Sequence, residues 1–594
     1  MKYLLEVLLQ NSFAIHAFWI LAFLSLVGIS LECRQRLNLD AATGMLLASL
    51  GVLNGLYWGA YFNYHAFQLV FIVSGIALLI RRRHMVLREG MAYLSLLSVV
   101  LWFALMSVNT IPFSWDEYFW TLFDQHIANY SSYWNTESGI LLTHIRYMPG
   151  ASLWHNYFGI KGYYDPATAY FAISVICILA IFWFIHLAQR SNRIFLLFSI
   201  SLTFGCFSEG WLLYVDPLLG ILMAIFLVSG VRYLRGDTKS FYALALSISS
   251  AVLLKETGVI PALSTVIVIG ALTLRVGKSA ADCKKLAAVV VYCLFLLIVW
   301  KYYQAMIGAS SPVQWSLFVD NSPASVDFRN HVYAGFFNYI TSSYTMLLVW
   351  FVAALSLVEL LRSGGNRIEI IFVLTTVLAY IAIHLFAWLY FVGDILAGAA
   401  RYMGSLLIAL FVFYTVRVAE QGTLKLTRKL LLIAILAWVP VNIVLSGHKP
   451  SALFMLLNPH PKQVPIAREQ LTRMANIVPS ELLALCRKQP TRVWFIHQGS
   501  NGYEAMQGRH VMFPCQVSPG SFSVGARYGD DDIWTADYSK KQFLEMAELY
   551  PYIFFSRVDS NFTDKYAYLF DDIPRDGDVF KFNVDANIFN RMLW

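Results

Sequence analysis

The feature that most limits what this chain can fold into is a long series of apolar runs. Each is close to the length that crosses a bilayer, and short segments rich in arginine separate them. A transmembrane helix needs about 20 consecutive apolar residues. Fourteen such runs can be drawn, at about 12–31, 41–62, 66–80, 91–108, 167–188, 194–207, 212–231, 241–254, 259–274, 286–306, 339–361, 368–391, 403–416 and 430–445. Some are short, so the expectation is a mainly α, polytopic bundle of about 12–14 spans. Composition agrees: 13% of residues are charged, where a soluble domain carries about 25%. No small-residue cleavage site follows the first apolar run, so a cleavable signal peptide is not expected.

Charge placement sets the topology. The formal charge is +8, but from His448 onward 16 Lys+Arg meet 16 Asp+Glu. The excess belongs to the apolar part and sits in short loops, as at Arg34 and Arg36, Arg81-Arg82-Arg83, Arg232 and Arg235, and Lys284-Lys285. With alternating spans, every such cluster falls on one side, which the positive-inside rule makes cytoplasmic. This distribution argues against nucleic acid as a partner. It also makes the lipid bilayer the surroundings of residues 1–447, with a separate extracytoplasmic domain at 448–594.

The opposite side then receives an unusual motif. Ser114-Trp115-Asp116-Glu117-Tyr118-Phe119-Trp120 follows directly on the fourth span. Acids at a membrane edge are expensive and point to function; the plainer reading is an acid pair in the first turn of a helix. Trp115, Phe119, Leu122, Phe123 and Ile127 recur at helical spacing, as expected of an interfacial helix. Asp116, Glu117, Asp124 and Gln125 fall elsewhere on it. A second short amphipathic segment is expected at about 150–158, preceded by Thr143-His144-Ile145-Arg146-Tyr147-Met148-Pro149-Gly150. An ordinary interfacial aromatic belt would use the same residues.

Other charges mark outer span ends. Asp216-Pro217 begins a helix, where Asp can cap and Pro fits the first turn. Lys255 and Glu256 close the eighth span and can neutralise one another. Arg401-Tyr402 opens the thirteenth, where a lone Arg also serves as an anchor. Arg146, Lys255 and Arg401 are the cations that a phosphate headgroup would need.

Taken together these motifs resemble the GT-C fold glycosyltransferases, integral-membrane enzymes that take sugar from a polyprenyl-phosphate donor, as in the protein mannosyltransferase and aminoarabinose transferase superfamily. The resemblance rests on Trp115-Asp116-Glu117, on the Pro149-containing stretch from His144 to Trp154, on Tyr214-Val215-Asp216-Pro217, Leu254-Lys255-Glu256-Thr257-Gly258 and Ala400-Arg401-Tyr402, and on the terminal soluble domain. One departure is that three spans precede the span leading to the acidic motif, where the family usually has one. The resemblance implies Asp116 as general base, with Glu117 orienting the acceptor or replacing Asp116. Substrate would be bound by His144, Arg146, Asp216, Lys255, Glu256, Arg401 and Tyr402. The donor would be a polyprenyl-phosphate-linked sugar and the acceptor a glycan, lipid or protein hydroxyl. The active site would face the periplasm or exterior of a bacterial inner membrane. Some relatives use a divalent metal. Asp116, Glu117, Asp124 and Glu209 do not form a dense carboxylate cluster in sequence, so no metal or cofactor is expected.

In the tail, 493–496, 551–555 and 579–582 read as strands and 539–549 as a helix, a small α/β domain. His497 reads as structural and Asp530-Asp531-Asp532 as a solvated turn. Cys486 and Cys515 are suited to a disulfide in an oxidising compartment. Rival functions are a glycan polymerase or ligase with a pyrophosphate-linked donor, a lipid-linked sugar transporter, and an assembly factor anchored by its spans. No internal repeat favours the transporter.

Overall fold

The computed structural model describes residues 2–593 except 89, 108–111, 113–114, 130–147, 162–164, 189–191, 194–195, 197–214, 256–257, 276–278, 307–322, 344–345, 348, 355–366, 391–394, 422–462, 490, 519, 530–531 and 533. The expected spans at 194–207 and 430–445 therefore lie almost wholly outside the described residues.

The membrane part begins with α1 (Lys2–Leu37), α2 (Ala41–Gly59), α3 (Tyr64–Arg81), the short α4 (Arg83–Arg88) and α5 (Gly90–Ser107). Two short helices follow, α6 (Trp115–Asn129) and α7 (Gly150–Tyr157). Then come α8 (Pro166–Leu187), α9 (Val215–Leu234), α10 (Ser240–Leu254), α11 (Val259–Arg275), α12 (Ala280–Met306), α13 (Pro323–Ser342), α14 (Arg367–Tyr390) and α15 (Ile395–Gln421). Among the described residues, seven helices are long and apolar enough to cross a membrane, and four shorter apolar helices accompany them. Polar caps set the starts. Asp40 accepts the Thr43 N–H at 2.8 Å, Asn63 accepts that of Ala66 at 3.1 Å, and Asp165 precedes Pro166 at the first turn of α8. Each satisfies a backbone donor that the helix itself leaves open.

Several boundaries differ from expectation: α1 runs past both ends of the expected 12–31, and α12 starts at Ala280 rather than 286. The segment 308–338 reads as a loop, yet α13 is helical from Pro323 and ends at Ser342, inside the expected span 339–361. Proline favours the first turn of a helix, and the charges at Asp327 and Arg329 mask the helical pattern. The thirteenth span begins at Ile395 rather than Met403. Its Ala397-Gly398-Ala399-Ala400 lead-in is weakly apolar, but alanine is the strongest helix former. Arg401 and Tyr402 thus stand inside α15, in its second turn.

Contacts sort the helix ends into two groups. At one end the close of α1 meets α3 through Arg82–Glu32 at 3.0 Å, and Lys239 donates to the Asn38 carbonyl. There α9 meets α15 through Arg232–Glu420 at 2.6 Å, and His186 of α8 approaches Asp40 at 3.5 Å. This is the basic end. Helices α6 and α7 lie at the other.

The C-terminal domain comprises α16 (Gln463–Ile477), α17 (Ser480–Lys488), β1 (Arg492–His497), α18 (Tyr503–Met512), β2 (Gln516–Val517), β3 (Ser523–Val524), β4 (Thr535–Ala536), α19 (Lys540–Leu549), β5 (Tyr552–Arg557), α20 (Ser560–Tyr566), β6 (Val579–Asn583) and β7 (Ile588–Arg591). The main sheet has the order β2-β1-β5-β6-β7. β1 runs parallel to β2 and β5, and β6 and β7 add on antiparallel. The run Val493–Ile496 is fully buried, as a strand covered on both faces should be. Phe543, Phe562, Phe570, Phe580 and Phe589 fill one side of the sheet. Cys486 and Cys515 form a disulfide that ties α17 to the chain after α18. His497 is half-buried at the end of β1, its Nδ1 3.1 Å from the Ser556 hydroxyl. Asp532 accepts the N–H groups of Tyr528, Trp534 and Thr535, which fits a turn; Asp530 and Asp531 lie outside the described residues.

Candidate active site at the α6 and α7 end

Helix α6 carries Glu117 and Asp124 on a stripe that is buried rather than solvated. Glu117 is fully buried and accepts the Tyr170 hydroxyl of α8 at 2.6 Å. Two turns on, Asp124 is equally buried, with Oδ2 2.9 Å from Nδ1 of His155 on α7. Seven residues bring a side chain back to nearly the same face of a helix, so one stripe of α6 grips both α7 and α8. Asn156 reinforces the grip by donating to the Asp124 carbonyl at 3.1 Å. Of the apolar face expected of α6, Phe123 and Ile127 are in the core and Leu122 is half-buried, while the side chains of Trp115 and Phe119 lie outside the described residues; Trp120 is buried too.

The seat of α7 is built from backbone carbonyls. Tyr64 donates to Leu153 O at 2.8 Å. Gln68 Nε2 donates to the carbonyls of Asn156, Tyr157 and Gly159 at 2.8, 3.1 and 2.8 Å. Asn156 and Tyr157 belong to the last turn of α7, whose carbonyls find no N–H four residues on within the helix. At its other end α7 starts at Gly150, where an added Cβ would stand 2.4 Å from Leu253 O. Glycine here lets α7 abut the last turn of α10.

Lys255 follows that turn. Its Nζ lies 2.7 Å from Asp216 Oδ1 in the first turn of α9, and both side chains are almost fully enclosed. The Ser405 hydroxyl of α15 donates to the Asp216 carbonyl at 2.8 Å. Arg401 precedes Ser405 by one helical turn, so its backbone stands beside the start of α9. Of the residues picked out by sequence, the structure thus pairs Asp216 with Lys255 beside the helix position of Arg401, and seats Glu117 separately against Tyr170 of α8. Asp116 heads α6 and Tyr402 follows Arg401 in α15, but the side chains of Asp116, Arg401 and Tyr402 are outside the described residues. So are His144, Arg146 and Glu256 entirely.

A second face of α6 meets the C-terminal domain. Nδ1 of His510 on α18 lies 3.1 Å from the Thr121 hydroxyl and 3.3 Å from Gln125 Nε2. Gln507 reaches the Tyr118 hydroxyl at 3.4 Å, and the Tyr118 ring meets those of Tyr503 and His510 edge-on. Burial lowers the pKa of both His126 and His510 to about 4. Helix α6 is therefore held between the membrane bundle and the soluble domain.

Tyr170, His155 and His510 escaped the sequence reading. Asp124 had a local signal, because it falls two turns from Glu117. The others are paired only by long-range packing. Among the described residues no group of three or more His, Cys, Asp or Glu gathers as a metal site. The fold and this end of the bundle define a polytopic helical membrane protein with an attached α/β domain. Comparison with known protein families, with curated proteins and with solved structures returns no match.

Proposed function

We propose that the protein is a membrane glycosyltransferase that moves a sugar from a polyprenyl-phosphate donor to a hydroxyl of an extracytoplasmic glycan, lipid or protein. The observation that carries this reading is the gathering of buried ionisable groups at one end of the bundle. Glu117, Asp124 with His155, and Asp216 with Lys255 stand where α6, α7, α8, α9, α10 and α15 meet. The conserved logic of such chemistry is simple: a base accepts the acceptor's proton, and cations stabilise the phosphate released when the glycosidic C–O bond breaks.

Asp116 is assigned the base. It stands in the first turn of α6, next to Glu117. Glu117, held by Tyr170, anchors the helix that carries Asp116. Lys255 is engaged by Asp216, so their ion pair shapes the floor between α9 and α10, and Arg401 and Arg146 are left as phosphate ligands. The donor's tail would lie in an apolar groove among the spans. The site is assigned to the side opposite the basic end, the periplasmic face of a bacterial inner membrane, and no metal is required.

The test is transfer by purified protein in nanodiscs from radiolabelled polyprenyl-phosphate sugars, with wild type beside Asp116→Asn. Transfer or donor hydrolysis should fall by about 100-fold or more in the variant, the scale of a lost general base. Retained activity would move the base to Glu117. Turnover only with a pyrophosphate-linked donor would replace this reading by a polymerase or ligase. Activity should persist in a chelator.

A further inference from the structure

Helix α18 is fixed to its own domain along one face. A Cβ at Gly508 would run into the ring of Phe495, so glycine lets the helix lie directly on β1. Ala505 and Met512 pack in the domain core, and Arg509 Nε donates to the Ser518 carbonyl at 3.1 Å. The opposite face turns to the membrane bundle. Tyr503, Met506, Gln507 and His510 recur there at helical spacing, and Met506 joins the apolar core of the bundle.

On α6 the matching row is Tyr118, Thr121 and Gln125, again one face of a helix. Gln507 meets the Tyr118 hydroxyl at 3.4 Å, and the Tyr118 ring lies edge-on to those of Tyr503 and His510. His510 takes the rest of the row. Its Nδ1 is 3.1 Å from the Thr121 hydroxyl and 3.3 Å from Gln125 Nε2, and its carbonyl accepts from Gln125 Nε2 at 3.4 Å. The contact begins two residues after Asp116. Helices α7 and α8 grip the adjoining stripe, at Asp124 and Glu117.

We propose that His510 and Gln507 are positioning residues for the transfer reaction: through them the C-terminal domain sets the pose of α6, and with it that of Asp116. The inference rests on the reading of Asp116 as general base. A helix gripped along one stripe can still roll about it, and a second grip on the adjoining stripe removes that freedom. Reacting groups tolerate little error, since a displacement of about 1 Å can lower a rate about 100-fold. The proposed phosphate ligand Arg401 belongs to α15, so donor binding does not pass through this contact.

The experiment is steady-state transfer by the full-length protein in nanodiscs, with hydrogen exchange of the same preparations read by mass spectrometry. In His510→Ala, kcat should fall about tenfold at unchanged KM for the donor, the scale of a reacting group moved by less than 1 Å. Peptides covering α6 should exchange faster, while those of β1 and β5 exchange as in wild type. His510→Asn, whose amide can stand where Nδ1 stood, should recover most of the lost kcat. Lys541→Gln, at an exposed residue of α19, should match wild type. Unchanged kcat in His510→Ala, or a raised KM at unchanged kcat, overturns the proposal. Loss of kcat with faster exchange of β1 and β5 also overturns it, because the residue then serves folding of the domain. No transfer by wild type from any polyprenyl-phosphate sugar overturns the reading of Asp116 itself, and the inference with it.

Discussion

At the scale of single residues, the Lys255–Asp216 pair shows how burial changes the meaning of a charge. A surface ion pair contributes about 1 kcal/mol at most. Enclosed charges in contact are different, because removing one leaves the other uncompensated. Lys255→Met should therefore destabilise the protein by about 3–5 kcal/mol. The double variant with Asp216→Leu should recover much of that loss. Thermal unfolding in detergent measures both, and a Lys255→Met protein as stable as wild type would show that the pair is solvated.

At the scale of elements, α6 is the piece on which the candidate site depends. It is held by α7 and α8 on one side and by α18 on the other. Two buried histidines, His126 on α6 and His510 on α18, give these elements a pH dependence whose sign follows from burial. His126 and His510 titrate near 6.5 when unfolded and near 4 when folded. The unfolded chain binds more protons between those values, so stability falls as pH drops through that window. The contribution is full above about pH 6.5, is lost toward pH 4, and changes no further below it. A depression of this size corresponds to roughly 3 kcal/mol per histidine at most. Melting temperature from pH 7.5 to 4.5 should decline, and His510→Gln should flatten the slope. Identical slopes in the two proteins would mean that His510 is protonated or hydrated where it sits.

At the scale of the whole molecule, the C-terminal domain is fastened to itself and to the bundle. The Cys486–Cys515 disulfide closes a loop of 29 residues. Chain entropy assigns such a loop about 3–4 kcal/mol. Reduction, or Cys486→Ser with Cys515→Ser, should lower the domain's unfolding midpoint accordingly, read by tryptophan fluorescence of the denaturant transition. An unchanged midpoint would mean that packing of α17 on the sheet holds the loop without the bond.

The sequence alone determined the class of molecule and the places where charge was unusual. Apolar runs announce membrane helices because lipid offers no partner to a free backbone group. The same one-dimensional signal located α2, α3, α5, α6 and α7 to within a few residues, while α1 runs well past both ends of the expected 12–31. Acids at the edge of such runs are visible for the same reason, and this made Glu117, Asp216 and Lys255 legible before any fold was known. What the sequence did not determine was partnership. Lys255 is followed by Glu256, yet the carboxylate it meets among the described residues is Asp216, 39 positions away. Asp124 meets His155 across 31 residues, and Thr121 meets His510 across 389. Only tertiary structure decides such contacts, because they follow from how helices pack in three dimensions, while periodicity along the chain reports only which face each helix turns inward.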